Sequence, residues 1–359
     1  FVVCFYHVMH SYHYYYFRFV LNLLHFLFYS RKKKRFFSSS SIIKMNVFEW
    51  IYLILLILSL LIIIKIFIDN FWTMTQLIKY LIMPKINLKE KYGSWAVVTG
   101  CTDGIGKAFS YELAKRGLNI VLISRNKEKL ERVSNDIKND YKIDTKIIMC
   151  DFTKGRCIYD DVKLLIDDLD VGILINNVGI QYSHPMYFGE LPDDEIWNVL
   201  NVNLGSVVQM TKIILSKMLD KKKGAIVNLS SGSKLQPLPF MNLYAASKIF
   251  VDFFTDALRE EYKNSNLTIQ CLCPYYVTTK INHFNDRLLK NNLFVPTPSR
   301  YVKSALDTLG IIDNTTGYWP HRLQYLFAVM CPVWIKTYVG GIMYKSMRNN
   351  YLKKKSDSQ

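Results

Sequence analysis

The chain has 359 residues and a formal net charge of +17, and half of its residues are hydrophobic. This composition allows a sizeable core and excludes disorder as the default state. The charge excess lies at the two ends: residues 1–44 carry seven Lys or Arg and no acid, and residues 321–359 carry seven with one acid. Residues 45–320 keep 32 basic and 28 acidic side chains, a balance of only +4. This placement favours a membrane surface as the partner and argues against nucleic acid.

Residues 1–44 are aromatic, then basic, then rich in serine, which indicates low-complexity sequence. That bias explains the spacing of His7, His10 and His13 better than a metal site does, and we predict no metal. We expect the native chain to start at Met45, so that residues 1–44 would not belong to it. The seven cysteines show no disulfide framework, and we expect reduced thiols in a cytosol-facing domain.

Residues 45–83 are predicted to form a membrane anchor. Fifteen uncharged residues run from Trp50 to Ile64, and the segment reaches spanning length if Glu49 and Lys65 extend to the interface. A buried helix and a signal-peptide core are the alternatives, but no small-residue cleavage site follows. Lysines follow the segment and none precedes it in the expected chain, so the positive-inside rule places the following domain in the cytosol.

Short apolar segments alternate with helical stretches, such as Ile105–Gly117 and Lys127–Tyr141, in the central part of the chain. The short segments are almost continuously apolar, as strands buried on both faces are. Six such repeats predict an α/β fold with a doubly wound parallel sheet of the Rossmann type, in which ligands bind beyond the carboxyl ends of the strands. The strand candidates are 95–99, 119–124, 145–150, 171–176, 225–230 and 267–273.

A glycine-rich turn follows the first strand. Gly100, Gly104 and Gly106 let the backbone turn tightly and approach a pyrophosphate, and the helix that begins near Ile105 offers free N–H groups to it. A glycine string alone is a weak signal, but its place between a strand and a helix predicts a dinucleotide site.

Polar residues follow the next three strands. Arg125 follows the second strand and suits a 2′-phosphate, whereas an acid would suit NAD, so NADPH or NADP is favoured over NAD; a solvated helix-capping arginine is the alternative. Asp151 follows the third strand and can accept a hydrogen bond from an adenine amino group. Asn177 and Gly179 follow the fourth, where the glycine gives the nicotinamide half close access to the backbone.

The residues expected to carry the chemistry are Asn203, Ser231, Tyr244 and Lys248. The chain contains six Tyr-x-x-x-Lys strings, but only Tyr244 has a serine thirteen residues earlier, at the end of a predicted strand. Because residues four apart share a helix face, Lys248 can lie beside the phenol. An ammonium about 5 Å away, at an effective dielectric constant near 20, favours phenolate by roughly 3 kcal/mol. We therefore expect a lowered Tyr244 pKa, which suits general acid catalysis.

An ordered set of motifs resembles the short-chain dehydrogenase/reductase superfamily over about 93–280: Thr99-Gly-x3-Gly-Ile-Gly106, the NNVG at 176–179, Asn203, Ser231 and Tyr244-x3-Lys248. Longer segments, such as GSWAVVTGCTDGIGKAF and CPYYVTTK, are similar to one membrane branch of it. That branch holds the very-long-chain 3-oxoacyl-CoA reductases and the 17β-hydroxysteroid dehydrogenases of types 3 and 12.

The resemblance implies a role for each site residue. Tyr244 donates the proton to the carbonyl oxygen, Ser231 holds that oxygen, and Lys248 binds the nicotinamide ribose and lowers the Tyr244 pKa. Asn203 supports a water relay, and Thr279 contacts the cofactor carboxamide.

The resemblance also implies NADPH-dependent reduction of a lipid carbonyl, foremost 3-oxoacyl-CoA to 3-hydroxyacyl-CoA in very-long-chain fatty-acid elongation. The predicted anchor is the basis for expecting the protein in the endoplasmic reticulum membrane. A 17-ketosteroid reductase and a catalytically silent membrane scaffold are the alternatives, and a homodimer is left open. The catalytic domain is expected at 93–316, and the apolar and basic residues 317–359 as a membrane-associated or substrate-cap region. The expected apolar substrate wall is Met186, Tyr187, Phe188, Leu238, Phe240, Tyr275, Tyr276, Phe284, Leu288 and Phe294.

Overall fold

A computed structural model of the chain describes residues 47–82, 86–282 and 290–357. The chain divides into two compact units between Lys65 and Ile66. The expectations for residues 1–44 and for a start at Met45 lie outside the described residues.

Helix α1 (Val47–Ile82) is one continuous helix of 36 residues. Its segment Phe48–Lys65 has a mean hydropathy of 2.3, and none of that segment is buried. A helix of that length is about 27 Å long, which comes close to the thickness of a bilayer's hydrocarbon core. The segment is therefore long and apolar enough to cross a membrane.

Seven parallel strands form one sheet. They are β1 (Trp95–Thr99), β2 (Asn119–Ser124), β3 (Thr145–Met149), β4 (Val171–Asn176), β5 (Gly224–Leu229), β6 (Leu267–Leu272) and β7 (Asn314–Thr315). Their order across the sheet is β3-β2-β1-β4-β5-β6-β7. The predicted doubly wound parallel sheet is confirmed. The last strand, which has only two residues, was not predicted, because so short a segment has no periodicity.

Helices cover both faces of the sheet, because successive strand residues point to opposite sides. Ala96 and Val98 pack in one core layer, and Val97 packs in the other. The first layer includes the helices Gly104–Lys115, Lys127–Tyr141 and Pro298–Asp307, and the second includes Tyr159–Leu165 and Ser206–Asp220. The helices after α1 are α2 (Leu88–Tyr92), α3 (Gly104–Lys115), α4 (Lys127–Tyr141), α5 (Tyr159–Leu165), α6 (Asp193–Val199), α7 (Ser206–Asp220), α8 (Asn242–Glu261), α9 (Pro298–Asp307), α10 (Trp319–Met330) and α11 (Val333–Asp357).

A π-helical turn, Leu200–Gly205, joins α6 to α7. The whole run Asp193–Asp220 is also long and apolar enough to span a membrane, but half of its most apolar window is buried inside the domain. A helix that packs against a sheet is buried in this way, so packing within the domain accounts for the apolar residues of this segment.

Helices α10 and α11 are bent by 117° at a short break, and together they meet the length and composition of a membrane span. The residues around the bend expose large apolar side chains, with Phe327 74% and Trp334 72% accessible. The opposite face of α11 packs on the domain, where Gly340 is buried against Leu238. The C-terminal helix thus joins the domain on one side and presents an apolar surface on the other.

Candidate active site

A cleft of about 730 Å³ opens beyond the carboxyl ends of the central strands. The strand order reverses between β1 and β4, which is where doubly wound sheets bind ligands. The volume is in the range of small-molecule sites. The lining includes these predicted site residues: Gly100, Gly104, Ile105, Gly106, Arg125, Asn177, Ser231, Tyr244, Lys248 and Thr279. Asn203 and Asp151 are not among the lining residues.

The glycine-rich turn is held by packing within the protein. Gly100 and Gly104 have φ angles of +65° and +53°, which favour glycine. A Cβ on Gly106 would lie 2.2 Å from the Gly100 carbonyl oxygen and 2.3 Å from the Asn177 Nδ2. From the sequence, Gly106 was expected to be glycine so that the backbone could approach a pyrophosphate. In the structure, glycine is required there by the close contact with Gly100 and Asn177.

Asn177 ties the loop after β4 to the loop after β1. Its Nδ2 donates to the carbonyl oxygens of Thr99 (2.9 Å) and Gly100 (3.3 Å). In return, the Thr99 Oγ1 accepts from the backbone N–H groups of Asn177 (3.0 Å) and Val178 (3.1 Å). Asn177 therefore fixes the shape of the glycine-rich turn.

Ser231, Tyr244 and Lys248 meet on one wall of the cleft. Tyr244 and Lys248 lie one turn apart on α8, and the Lys248 Nζ is 5.8 Å from the centre of the Tyr244 ring. The Lys248 Nζ donates to the Leu229 carbonyl oxygen at 3.1 Å, at the end of β5. The Ser231 hydroxyl interacts with the Tyr244 phenol and acts to lower its pKa. The three polar groups thus converge, and Lys248 lies beside Tyr244 as the four-residue spacing on a helix predicted.

The expected lowering of the Tyr244 pKa is wrong in this structure. Burial is the largest influence and raises the pKa of Tyr244 to about 12, against the lowering effect of Ser231. Burial also lowers the pKa of Lys248 to about 8. The sequence estimate treated the pair at a surface-like dielectric, whereas both charged forms lose their hydration here. The phenol accordingly holds its proton at neutral pH.

Asn203 lies behind Tyr244, in the π-helical turn. Its Oδ1 accepts from the Ile180 backbone N–H (2.8 Å), and its Nδ2 donates to the Ile180 carbonyl oxygen (2.9 Å) and to the Ser247 Oγ (3.0 Å). Ser247 donates to the Tyr244 carbonyl oxygen at 2.7 Å. Asn203 is thus linked to the α8 backbone at Tyr244, and its part in a water relay stays a prediction. Single π turns are frequent at functional sites.

Basic side chains lie at the end of the cleft where the glycine-rich turn begins. Arg125 is exposed and lines the cleft, and no ion pair among the described residues includes it. Lys280 also lines the cleft and pairs with Asp103 at 3.2 Å, a position that no sequence pattern singled out. The Asp151 carboxylate accepts from the N–H and hydroxyl of Thr153, so it caps a short helix, and an adenine contact stays a prediction.

The other end of the cleft is largely apolar and aromatic. Three residues of the expected substrate wall line it, namely Leu238, Tyr275 and Tyr276. Five others lie outside the lining, Met186, Tyr187, Phe188, Phe240 and Phe294, and Phe284 and Leu288 are outside the described residues. The sequence reasoning missed Tyr182, Met343 and Tyr344, which line the cleft as well.

The C-terminal helix reaches this apolar end. The Tyr344 and Tyr276 hydroxyls are 3.4 Å apart, and Tyr344 is buried. A residue in α11 therefore closes one side of the cleft, about a hundred positions after Tyr244 in sequence. No local pattern predicts such a distant contact.

Comparison with known proteins places the chain in a family. The model of the short chain dehydrogenase family matches residues 94–288. The chain is 44% identical to the human "Inactive hydroxysteroid dehydrogenase-like protein 1" over 77% of this chain and 85% of that protein. It is 44% identical to the human "Very-long-chain 3-oxoacyl-CoA reductase" over 73% of this chain and 83% of that protein.

Among solved structures, a short-chain dehydrogenase from Sphingobium yanoikuyae in complex with NADPH shares the fold. It has a TM-score of 0.55 and 24% identity, over 59% of this chain and 83% of that one. Together with the matched family model and relatives, the fold and the placement of the motifs lead to one conclusion. The chain belongs to the short-chain dehydrogenase family, a family of oxidoreductases.

Proposed function

We propose that this chain is an NADPH-dependent reductase of a lipid carbonyl, and that its substrate is a 3-oxoacyl-CoA, reduced to the 3-hydroxyacyl-CoA during very-long-chain fatty-acid elongation. One observation carries the proposal: Ser231, Tyr244 and Lys248 converge between a glycine-rich cradle and an apolar, aromatic wall. The name of the similar human reductase gives the same substrate class.

The residues present fit a nicotinamide dinucleotide. Gly100 and Gly104 hold the turn beside the cleft in left-handed backbone conformations, and a Cβ on Gly179 would come within 3.4 Å of the Lys248 Nζ. Arg125 would hold the 2′-phosphate as a planar cation, which supports NADPH over NADH. Lys248 would bind the nicotinamide ribose, and Thr279 the carboxamide. When bound, the cofactor supplies the hydride.

The side chains of this protein supply the proton and hold the carbonyl. Tyr244 is protonated at neutral pH and donates its phenolic proton to the carbonyl oxygen as that oxygen gains negative charge. The Ser231 hydroxyl donates a hydrogen bond to the same oxygen and so orients it. The Lys248 ammonium stabilises the phenolate that remains until a proton returns from solvent.

The apolar end of the cleft supports a lipid substrate. Leu238, Tyr275, Tyr276 and Met343 offer it hydrophobic contact. A sterol would suit the same wall, so a 17-ketosteroid reductase is the second candidate. It is favoured by the name of the human hydroxysteroid dehydrogenase-like relative.

The word "inactive" in that relative's name favours a third candidate, a catalytically silent membrane scaffold. This chain keeps Asn203, Ser231, Tyr244 and Lys248, with the last three on the cleft wall. A scaffold has no need of a buried proton donor beside a lysine. We therefore favour the active enzyme.

The proposed reaction is tested by turnover of the full chain in detergent micelles. NADPH oxidation is followed with a long-chain 3-oxoacyl-CoA and, separately, with a 17-ketosteroid. Tyr244→Phe should lower kcat by roughly a hundred- to ten-thousandfold, the range for loss of a positioned general acid, and should leave NADPH binding intact. Tyr111→Phe is the matched control, because Tyr111 heads another Tyr-x-x-x-Lys string but bonds Asp136. Equal turnover by Tyr244→Phe and wild type would refute the acid, and no turnover of either substrate would favour the scaffold.

We further propose that the protein resides in the endoplasmic reticulum membrane with the catalytic domain in the cytosol. The unburied apolar segment of α1 and the apolar surface around the α10–α11 bend support a membrane location. Carbonate extraction of microsomes should leave the protein in the pellet, and added protease should digest the catalytic domain in sealed microsomes. Release by carbonate, or full protection from protease, would contradict the location or the orientation.

A further inference from the structure

Lys234 and Asp252 form a buried ion pair beneath the catalytic wall. The Lys234 Nζ lies 2.5 Å from the Asp252 Oδ1, and the two side chains are only 9% and 10% exposed. The same carboxylate oxygen accepts from the Asn314 Nδ2 at 3.1 Å and from the Cys271 thiol at 3.3 Å. Asp252 is therefore fixed by three different elements.

Asp252, Cys271 and Cys273 are close enough to bind a metal ion together. The Lys234 ammonium already provides a positive charge at this carboxylate, and Cys271 donates its thiol proton to the same oxygen. Because the charge is balanced inside the protein, the cluster is better explained as a structural ion pair than as a metal site.

The ion pair connects the two segments that carry the catalytic groups. Lys234 lies in the short turn Gly232–Leu235, in which its backbone N–H donates to the Ser231 carbonyl oxygen at 3.2 Å. Asp252 lies on α8, one turn after Lys248 and two turns after Tyr244, on the same helix face. The pair thus joins the serine-bearing turn to the tyrosine-bearing helix.

A second bond joins α8 to the beginning of this turn, just before Ser231: the Ser230 Oγ donates to the Lys248 carbonyl oxygen at 2.6 Å. Without Lys234, the far end of the turn keeps the bond from the Lys336 Nζ to the Leu235 carbonyl oxygen, at 3.2 Å. That bond leads to α11 and not to α8. Only the Lys234–Asp252 pair, among these bonds, fixes the far end of the turn to the catalytic helix.

We propose that Lys234 is a positioning residue, which through Asp252 holds the Ser231 hydroxyl against the Tyr244 phenol. Removing it leaves the Leu235 end of the turn without a bond to α8, so the carbonyl would be oriented less well in the transition state. Substrate and cofactor contacts elsewhere in the cleft would be unchanged. The effect on turnover rests on the proposed function.

The experiment compares Lys234→Met, Lys234→Arg and wild type as full chains in micelles. We expect kcat to fall roughly ten- to a hundredfold in Lys234→Met, the range of a displaced catalytic group, with KM and the NADPH Kd within about twofold of wild type. Lys234→Arg keeps the charge and should recover most of kcat. Arg116→Met is the matched control, because Arg116 pairs with Asp307 at 2.8 Å and neither residue lines the cleft.

Lys234→Met leaves the Asp252 charge buried and unpaired, which itself destabilises the fold. The double variant Lys234→Met with Asp252→Asn removes that charge, so it should recover thermal stability while kcat stays low. Recovery of kcat together with stability would show a purely structural role and overturn the proposal.

Hydrogen exchange provides a readout that needs no substrate. The backbone N–H groups of Ser233 and Lys234 bond to Ser231, so their exchange should rise in Lys234→Met and in the double variant, and not in Arg116→Met. Unchanged exchange would overturn the positioning role even if the enzyme is active. Faster exchange in a protein whose wild type has no turnover would support the role of Lys234 in the turn and refute only the proposed function.

Discussion

The glycine-rich turn allows a test of the cofactor site that does not alter Ser231, Tyr244 or Lys248, the residues proposed to carry the chemistry. In Gly106→Ala, the new Cβ would lie 2.2 Å from the Gly100 carbonyl oxygen and 2.3 Å from the Asn177 Nδ2. Neither contact can persist. One partner is backbone, so the turn must move, and Asn177 must give up its bonds to the Thr99 and Gly100 carbonyl oxygens.

The magnitude follows from these contacts. Overpacking costs about 1–3 kcal/mol, and the two lost hydrogen bonds add about 0.5–1.5 kcal/mol each. The turn relieves the contact by leaving the shape that receives the pyrophosphate. If about 3 kcal/mol of the total is lost from cofactor binding, the Kd for NADPH rises roughly a hundredfold.

NADPH binding is measured by fluorescence titration of the full chain in micelles, and stability by thermal unfolding. Gly189→Ala is the matched control, because a Cβ on Gly189 meets nothing within 4 Å. It should leave the Kd and Tm unchanged. A Gly106→Ala protein that binds NADPH as tightly as Gly189→Ala would refute both the packing argument and the place of the dinucleotide.

Two further predictions concern charge. Arg125→Asp should shift the ratio of kcat/KM for NADPH to that for NADH at least tenfold towards NADH, because a carboxylate repels a 2′-phosphate and accepts from ribose hydroxyls; an unchanged ratio in steady-state assays would exclude Arg125 from the phosphate site. Lys248 has a folded pKa of about 8 against 10.5 for the free side chain. Unfolded protein therefore binds more protons between these values, and Lys248 makes stability rise with pH there, by about 2 kcal/mol from pH 7.5 to 9.5. In denaturant unfolding, Lys248→Met should lack this rise in the free energy of unfolding. An equal rise in both proteins would contradict the lowered pKa of Lys248.

The sequence predicts the sheet well, because strands buried on both faces are almost continuously apolar. The bounds of β1, β2 and β4 agree with prediction, and the carboxyl ends of these strands mark the site. The two-residue β7 could not be predicted, because it is defined by its pairing with β6 and not by its composition. Lys127–Tyr141 is also found as predicted, since its apolar residues recur with the helical period.

The site is predictable where spacing along one element decides it. Tyr244 and Lys248 are four residues apart on one helix, so their proximity follows from their spacing. Contacts that join distant segments have no such signal. The Tyr344 hydroxyl beside Tyr276 and the Lys234–Asp252 pair both depend on how separate elements pack. The error in the Tyr244 pKa has the same origin, because burial is a property of the packed domain.

The charge state of Lys248 bears on whether the site is used. A pKa lowered from 10.5 to about 8 means that the buried ammonium costs about 3 kcal/mol at neutral pH relative to a hydrated one. An apolar side chain of similar length would avoid this cost and leave the core packed. A scaffold gains nothing from the lysine, whereas a reductase gains a cation beside the phenol at the moment its proton leaves. Local destabilisation of this kind is expected where function opposes stability, so the buried lysine favours the enzyme over the scaffold.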